Sequence, residues 1–366
     1  MNDFLKKIIA ERRQDVSKAK KEISLAALQE ATKSRGPARS LRARLQTKPA
    51  RPPAAPGAQR LRAGDATHSV AGGPGRADVV VGPGDDCAVV RTAAGARYDC
   101  LLKSDPVIEG VHFTPAAPGA AVGHKALARV LSDIAAMGGE PLWALVNLVV
   151  PVAMSAARVT SIYSGLSRLA RHCRVAIVGG DLTSGPRLEA HIFGVGRVPR
   201  GQAVLRSGAR SGDYLFVTGA LGGSRHGKHL VFQPRLAEGR WLQRRHWATA
   251  MIDLSDGLAT DLRHLIRQSH VGAELFLTKI PLTPTIKEST SRRIALRHAF
   301  CDGEDYELLF TVSPANMAAL IRAWPKTFRT PCASIGRITD RRDVIECVDA
   351  HGRRVRLKAT GYEHFR

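Results

Sequence analysis

Polar and apolar positions change their period several times along the chain. Over residues 2–21, Leu5, Ile9, Arg12 and Val16 recur at helical spacing with Phe4 and Ile8 beside them, which predicts a short amphipathic helix with a charged back. Ser24 is placed to cap a second helix over 25–31. Periodicity stops over 33–75, where Pro, Ala, Arg and Gly dominate, and a disordered linker is predicted. The folded body begins near Asp78. Residues 79–81 and 98–103 predict strands, and 123–137 a helix burying Leu127, Val130, Leu131 and Ile134. Asp133 lies at the edge of that buried face, where an unpaired carboxylate is costly. Apolar runs over 143–152 and 175–178 predict buried strands, and 189–196 another.

Pro199-Arg200-Gly201-Gln202 marks a boundary, after which strands and helices alternate. Strands are expected at 213–218, 252–253, 273–277 and 306–312. Helices are expected after Gly227, from Leu258 and over 315–324, with a final hairpin over 344–357 turning at Asp349-Ala350-His351-Gly352. This mixed order predicts an α/β protein in α+β layers. The divisions expected are a basic extension and linker over 1–77, one domain over 78–199 and a second over 200–366.

Composition adds one unusual fact. Residues 1–60 hold 15 Lys/Arg against 5 Asp/Glu, within a formal charge of +23 for the whole chain. Such a surface attracts polyanions, and nucleic acids, nucleotides and phosphorylated metabolites serve equally well. Six scattered cysteines without a C-x-x-C pair argue against a disulfide framework or a zinc site and for a reducing cytosol. No apolar stretch is long enough to span a bilayer and no signal-peptide core opens the chain, so a cytoplasmic protein is expected.

The chemistry lies in acidic clusters set among small residues. Gly82-Pro83-Gly84-Asp85-Asp86 follows the first strand and ends in two adjacent carboxylates; Asp105, Asp133, Asp181, Asp253 and Asp256 sit in similar settings. Singly, an aspartate in such a place caps a helix or closes a turn. Six sharing one setting suggest hard oxygen ligands for Mg²⁺, with small neighbours that let phosphate oxygens approach. A second candidate, the run from Gly222 to Lys228, imitates a phosphate-binding loop but has His229 where that loop needs a Ser or Thr hydroxyl. A tight turn is the plainer reading.

These motifs resemble thiamine-monophosphate kinase. The resemblance rests on Gly82-Pro83-Gly84-Asp85-Asp86-Cys87-Ala88, on Lys103-Ser104-Asp105 leading to Glu109-Gly110-Val111-His112-Phe113, and on Leu131-Ser132-Asp133-Ile134-Ala135-Ala136-Met137-Gly138. Gly179-Gly180-Asp181, Met251-Ile252-Asp253-Leu254-Ser255-Asp256-Gly257, Asp302-Gly303-Glu304-Asp305-Tyr306-Glu307 and Gly361-Tyr362-Glu363-His364-Phe365 continue it in order, so that it covers about 78–366. Separately, residues 1–45 resemble the opening helix of indole-3-glycerol-phosphate synthase, but nothing after them resembles that enzyme's barrel.

The kinase resemblance implies the two-domain aminoimidazole-ribonucleotide-synthetase-like fold and transfer of the γ-phosphoryl group of ATP to thiamine monophosphate. It implies several Mg²⁺ ions held by Asp86, Ser104, Asp105, Asp133, Asp181, Asp253 and Asp256, with another oxygen at the position of Lys103. It implies ATP contacts from Gly180, Asp181, Arg206 and Ser255, thiamine contacts from His112, Glu304 and Tyr362, and a homodimer formed through the first domain. No general base is expected, because the second proton of a phosphate monoester leaves near pH 6 and the attacking oxygen is already ionised. The chain departs from the family pattern at Lys103, where Ser or Thr is frequent, and at Arg129, where Asn is frequent. Either one metal is missing there or the ammonium replaces it. Two other readings stand beside this one: another ATP-dependent synthetase of the same superfamily, and a basic nucleic-acid-binding protein.

Overall fold

The computed structural model describes residues 77–357. The helices predicted within 2–31, the disordered linker, the resemblance of 1–45 and the Tyr362 motif lie outside those residues.

Short β1 (Val79–Val81) and β2 (Ala88–Val90) form a hairpin that pairs with β3 (Tyr98–Ile108). Helix α1 (Gly119–Ala136), β4 (Glu140–Val150), α2 (Ala156–Cys173), β5 (Ala176–Ser184) and β6 (Glu189–Pro199) follow. The strands make one sheet in the order β1-β2-β3-β6-β4-β5. Pairing is antiparallel except β4 with β5, which α2 joins as a parallel crossover. Ser155 caps α2, its side chain accepting the Arg158 N–H, and Ile162, Leu166, Leu169 and Ala170 give that helix its buried stripe.

The second half contributes β7 (Tyr214–Thr218), α3 (Lys228–Val231), α4 (Leu236–Arg244), β8 (Ala248–Asp253), α5 (Leu258–Gln268) and β9 (Gly272–Phe276). It continues with α6 (Pro284–Ser289), α7 (Arg292–Cys301), β10 (Leu308–Val312), α8 (Pro314–Thr327), β11 (Cys332–Thr339), β12 (Ile345–Val348) and β13 (Arg354–Arg356). Its sheet runs β13-β12-β9-β11-β7-β10-β8. One face packs on Leu258, Leu262, Leu265 and Ala295 from α5 and α7, and the other stacks Phe216 and Phe310 under Trp324 of α8.

Helix α1 links the two halves. Leu127, Val130, Leu131 and Ile134 pack in the core of the first sheet as predicted, while Ala136 packs with Val204, Phe216 and Leu242 of the second. The α4 backbone lies directly on it, for a Cβ on Gly239 would come 2.1 Å from the Ala135 carbonyl oxygen. Covered on all sides, α1 buries Lys125, Ser132 and Asp133 as well as its apolar residues.

Three expectations need correction. The strands at 79–81, 143–152 and 175–178 are not buried on both faces: Val79, Val80, Trp143 and Val178 are exposed. In β4, Ala144, Val146 and Leu148 reach the core while Trp143, Leu145 and Asn147 between them are exposed, because a strand covered on one side alternates. The helix predicted at 123–137 begins earlier, after Pro118, and the strand predicted at 98–103 extends to Ile108. Helices α2, α4 and α7 and strand β11 were not predicted.

The crossing of α1 and α2 depends on two glycines. A Cβ at Gly165 would stand 1.8 Å from the Ala120 carbonyl oxygen, and one at Gly123 would stand 2.0 Å from that of Ile162. We expect Gly165→Ala to lower stability in urea unfolding by about 2–3 kcal/mol through overpacking. Gly95→Ala, which meets nothing within 4 Å, should stay within about 0.5 kcal/mol of the parent.

Candidate functional site

The turn at 82–86 delivers Asp85 and Asp86 from β1 toward the second half. Asp85 accepts the Arg206 backbone N–H at 3.1 Å, while the Arg206 guanidinium donates to Asp86 Oδ1 at 2.5 and 3.2 Å and to the Gly84 carbonyl at 3.1 Å. The other oxygen of Asp86, Oδ2, is buried and has no hydrogen-bond partner among the described residues. Burial and the adjacent Asp86 raise the Asp85 carboxyl to about 6.

Asp86 meets Asp133 of α1 and Asp253 at the end of β8; carboxylate oxygens of the three lie within 4.8 Å of one another, and all three residues are buried. Ser132 donates to Asp253 Oδ2 at 2.6 Å. Burial, then Asp86, raises Asp253 to about 7. Burial together with Asp105, Asp253 and Asp86 raises Asp133 well above the usual carboxylate range, against the pull of Lys103. Protons therefore compete for oxygens that the chain leaves short of positive charge.

Strand alternation puts Lys103 and Asp105 on one face of β3 and Ser104, exposed, on the other. The Lys103 ammonium lies 2.9 Å from Asp133 and 3.6 Å from Asp105. Burial opposes its charge, but Asp133 and Asp105 raise its pKa above the ordinary value. A protonated ammonium has no lone pair, so the Lys103 side chain is an ion-pair partner and not a ligand. Arg129 approaches Asp105 at 3.9 Å and donates to the Pro106 carbonyl; its Nε is buried without a hydrogen-bond partner.

The loops after β8 and before β10 are laced together. The Glu304 N–H donates to the Ser255 carbonyl at 2.7 Å, the Tyr306 N–H to Leu254 at 2.8 Å and the Leu254 N–H to Glu307 at 2.8 Å. Gly303, at φ 72, sits so close that a Cβ would come 2.6 Å from the Ser255 carbonyl oxygen. Glu304 and Tyr306 themselves have positive φ, a strained conformation held by this lacing. The Asp256 N–H donates to Asp261, whose buried carboxyl is raised by burial and then by Asp256 and Asp253.

A cleft of about 570 Å³ opens beside these loops, lined among others by His112, Arg129, Ser255, Asp256, Glu304 and Tyr306. That size suits a small ligand. Outside the lining, fully buried Lys125 ties three of the lining residues together: it donates to Glu304 at 2.5 Å and to the His112 carbonyl at 2.6 Å and lies 2.7 Å from His229 Nδ1. Burial lowers Lys125 to about 8. Burial alone would raise Glu304, but His229 and Lys125 bring it down to about 2. Tyr306 stacks on Phe232, ring centroids 3.9 Å apart.

Of the residues expected to form the site, the fold gathers Asp86, Asp133 and Asp253, sets Lys103, Asp105 and Arg206 beside them, and lines the cleft with His112, Ser255, Asp256 and Glu304. It does not bring in Asp181, which is exposed on β5 and accepts the N–H of its neighbour Leu182. Gly180, at φ 145, is needed where it stands because a Cβ would meet the Val146 carbonyl oxygen at 1.9 Å. The Ser104 side chain points away. Sequence reasoning missed Lys125, His229, Asp261 and Tyr306. Lys125 carried no signal in the sequence, for it lies opposite the Leu127, Val130, Leu131, Ile134 stripe, where a cation is ordinary in a helix covered on one face. The glycine-rich run is no phosphate loop: the Gly222 N–H is taken by Asp305, Lys228 pairs with buried Glu307 at 2.9 Å, and α3 spans only Lys228–Val231.

The cluster fits a divalent ion. Its donors are hard carboxylate oxygens, and the orphaned Asp86 Oδ2 is the partnerless buried oxygen that a cation would satisfy.

Comparison with known proteins agrees with this geometry. Residues 84–198 match the model of the AIR synthase related protein N-terminal domain, and 205–348 that of the C-terminal domain. Thiamine-monophosphate kinase of Escherichia coli (strain K12) is 35% identical over 311 residues, covering 79% of this chain and 93% of that protein. The one from Rhodopirellula baltica is 38% identical over 273 residues, covering 72% and 84%. A solved structure described as AaThiL complexed with AMPPCP and TMP superposes with a TM-score of 0.67 at 31% identity, covering 77% of this chain and 91% of that one. With both domain models matched in order and these identities sustained over most of its length, the chain belongs to the thiamine-monophosphate kinase family.

Proposed function

We propose that this chain transfers the γ-phosphoryl group of ATP to the phosphate of thiamine monophosphate, yielding thiamine diphosphate. One observation carries the reading: a buried carboxylate triad with an unpartnered oxygen, beside a cleft that Asp256 and Ser255 share with Glu304. The family of relatives and a related structure solved with AMPPCP and TMP support the choice of substrates.

Asp86, Asp133 and Asp253 would hold Mg²⁺, with Asp256 as a further oxygen at the margin of the cluster, while Asp105 is paired with Lys103. When bound, the metal neutralises donor and acceptor phosphates that otherwise repel each other. Arg206 fixes Asp86 in place with one edge of its guanidinium and presents its remaining N–H groups to the polyphosphate. Ser255 and Gly180 are the further proposed ATP contacts. Glu304, ionised throughout the physiological range, gives the cleft a negative group suited to a cationic thiazolium, with His112 and Tyr362 as the other acceptor contacts. Lys125 and His229 hold Glu304 from behind. The acceptor phosphate arrives ionised, so no side chain is needed to remove a proton.

We also propose a homodimer through the first sheet, on whose face opposite the core Trp143, Leu145 and Val178 are exposed among the described residues. No helix among the described residues is long and apolar enough to cross a membrane, and Cys87, Cys100, Cys173, Cys332 and Cys347 are free thiols.

Incubation with ATP, Mg²⁺ and thiamine monophosphate should give thiamine diphosphate and ADP; ADP release that ignores the acceptor would refute the assignment. Asp86→Asn, folded by circular dichroism, should lose at least about a hundredfold in kcat/KM. Glu304→Gln should raise the KM for thiamine monophosphate about tenfold while changing the KM for ATP little.

A further inference from the structure

Four carboxylates, Asp86, Asp105, Asp133 and Asp253, share the cluster and its rim, and the chain's own cations cover them unevenly. Arg206 occupies Asp86 Oδ1. Lys103 bridges Asp133 and Asp105, and Arg129 flanks Asp105 from the other side. Among the described residues Asp86 Oδ2 has no hydrogen-bond partner, and nearby Asp253 accepts its side-chain hydrogen bond from a neutral hydroxyl, that of Ser132. Arg206 thus serves one oxygen of Asp86 and Lys103 serves the Asp105–Asp133 corner, and the carboxylate oxygens left without a direct cation are Asp86 Oδ2 and those of Asp253.

We propose that the Lys103 ammonium is a built-in replacement for a divalent ion. The corner between Asp105 and Asp133 takes no metal in this chain, and metal binding is confined to the end formed by Asp86 and Asp253, with Asp133 shared between the two. This inference rests on the reading of the triad as a metal site. The geometry supports it in three ways. Lys103 and Asp105 sit two residues apart on one face of an unbroken β3–β6 ladder, so the lysine is aimed at its partners by strand register. The ammonium lies within direct ion-pair distance of both carboxylates and occupies the space a metal would need. Arg129 closes the remaining side, with a further hydrogen bond to the Pro106 carbonyl that anchors it.

The consequence is a metal count set by one side chain. Lys103→Ser removes the cation and opens room for an ion with its waters between two hard oxygen ligands. Lys103→Arg keeps the charge. Bound Mn²⁺ is counted by electron paramagnetic resonance of the free ion, with AMPPCP saturating and no acceptor present. We expect Lys103→Ser to bind about one more Mn²⁺ per chain than the parent, and Lys103→Arg to match the parent. Equal counts in parent and Lys103→Ser would overturn the proposal. If Lys103→Ser is unfolded without divalent ions, added Mn²⁺ should restore its native circular dichroism, and failure to do so would also overturn it. A parent chain that binds no Mn²⁺ beyond that carried by the nucleotide would contradict the metal site itself. Because the count involves no acceptor, a failure to phosphorylate thiamine monophosphate leaves this inference standing and contradicts only the proposed reaction.

Discussion

Like charges in a buried place dictate this structure. Carboxylate oxygens of Asp86, Asp133 and Asp253 lie within 4.8 Å of one another, and all three residues are buried. Two unit charges at that separation repel by about 3 kcal/mol at an effective dielectric constant of about 20, before any cost of burial. Arg206, Lys103 and Ser132 offset part of this. They do not offset all of it, for Asp86 Oδ2 has no partner and Asp253 holds its proton up to about 7. A fold that keeps such an arrangement tolerates instability at a place where a divalent cation would relieve it.

Helix α1 makes the arrangement possible. It is buried on every side because the first sheet packs on one flank and the second half of the chain on the other. Its polar residues therefore become the connections between the halves. Asp133 joins the turn after β1 to the end of β8, and Lys125 joins the loop carrying His112 to the loop carrying Glu304. The same helix thus supports both the proposed metal cluster and the residues that line the cleft. A shift of α1 would disturb the two together, which fits their proposed roles in holding donor and acceptor of one reaction.

Much of this was legible in the sequence, for reasons that differ by element. The apolar stripe Leu127, Val130, Leu131, Ile134 announced α1, and its failure to explain Asp133 pointed to a functional carboxylate. The acidic turn was readable from its glycines. Helix α2 escaped because its stripe is narrow and set among arginines, and β4 and β5 were overcalled as buried because apolar residues on an uncovered sheet face look like core. The separation of Ser104 from Asp105 needed only strand period, once β3 was known to run to Ile108. Lys125, His229 and Asp261 depend on long-range packing, which one-dimensional spacing does not encode. The displacement of Asp181 from the triad is of the same kind, since β5 reaches its place in the sheet only through the α2 crossover.

The central claim is that the unpartnered oxygen of Asp86 marks a divalent cation site. Crystals grown with Mn²⁺ and AMPPCP, measured at the manganese absorption edge, test it directly. The account predicts an anomalous peak at about 2.2 Å from Asp86 Oδ2, with Asp253 or Asp133 completing the protein ligands. Manganese found only on the nucleotide, with the triad oxygens bound to water or to one another through protons, would contradict it.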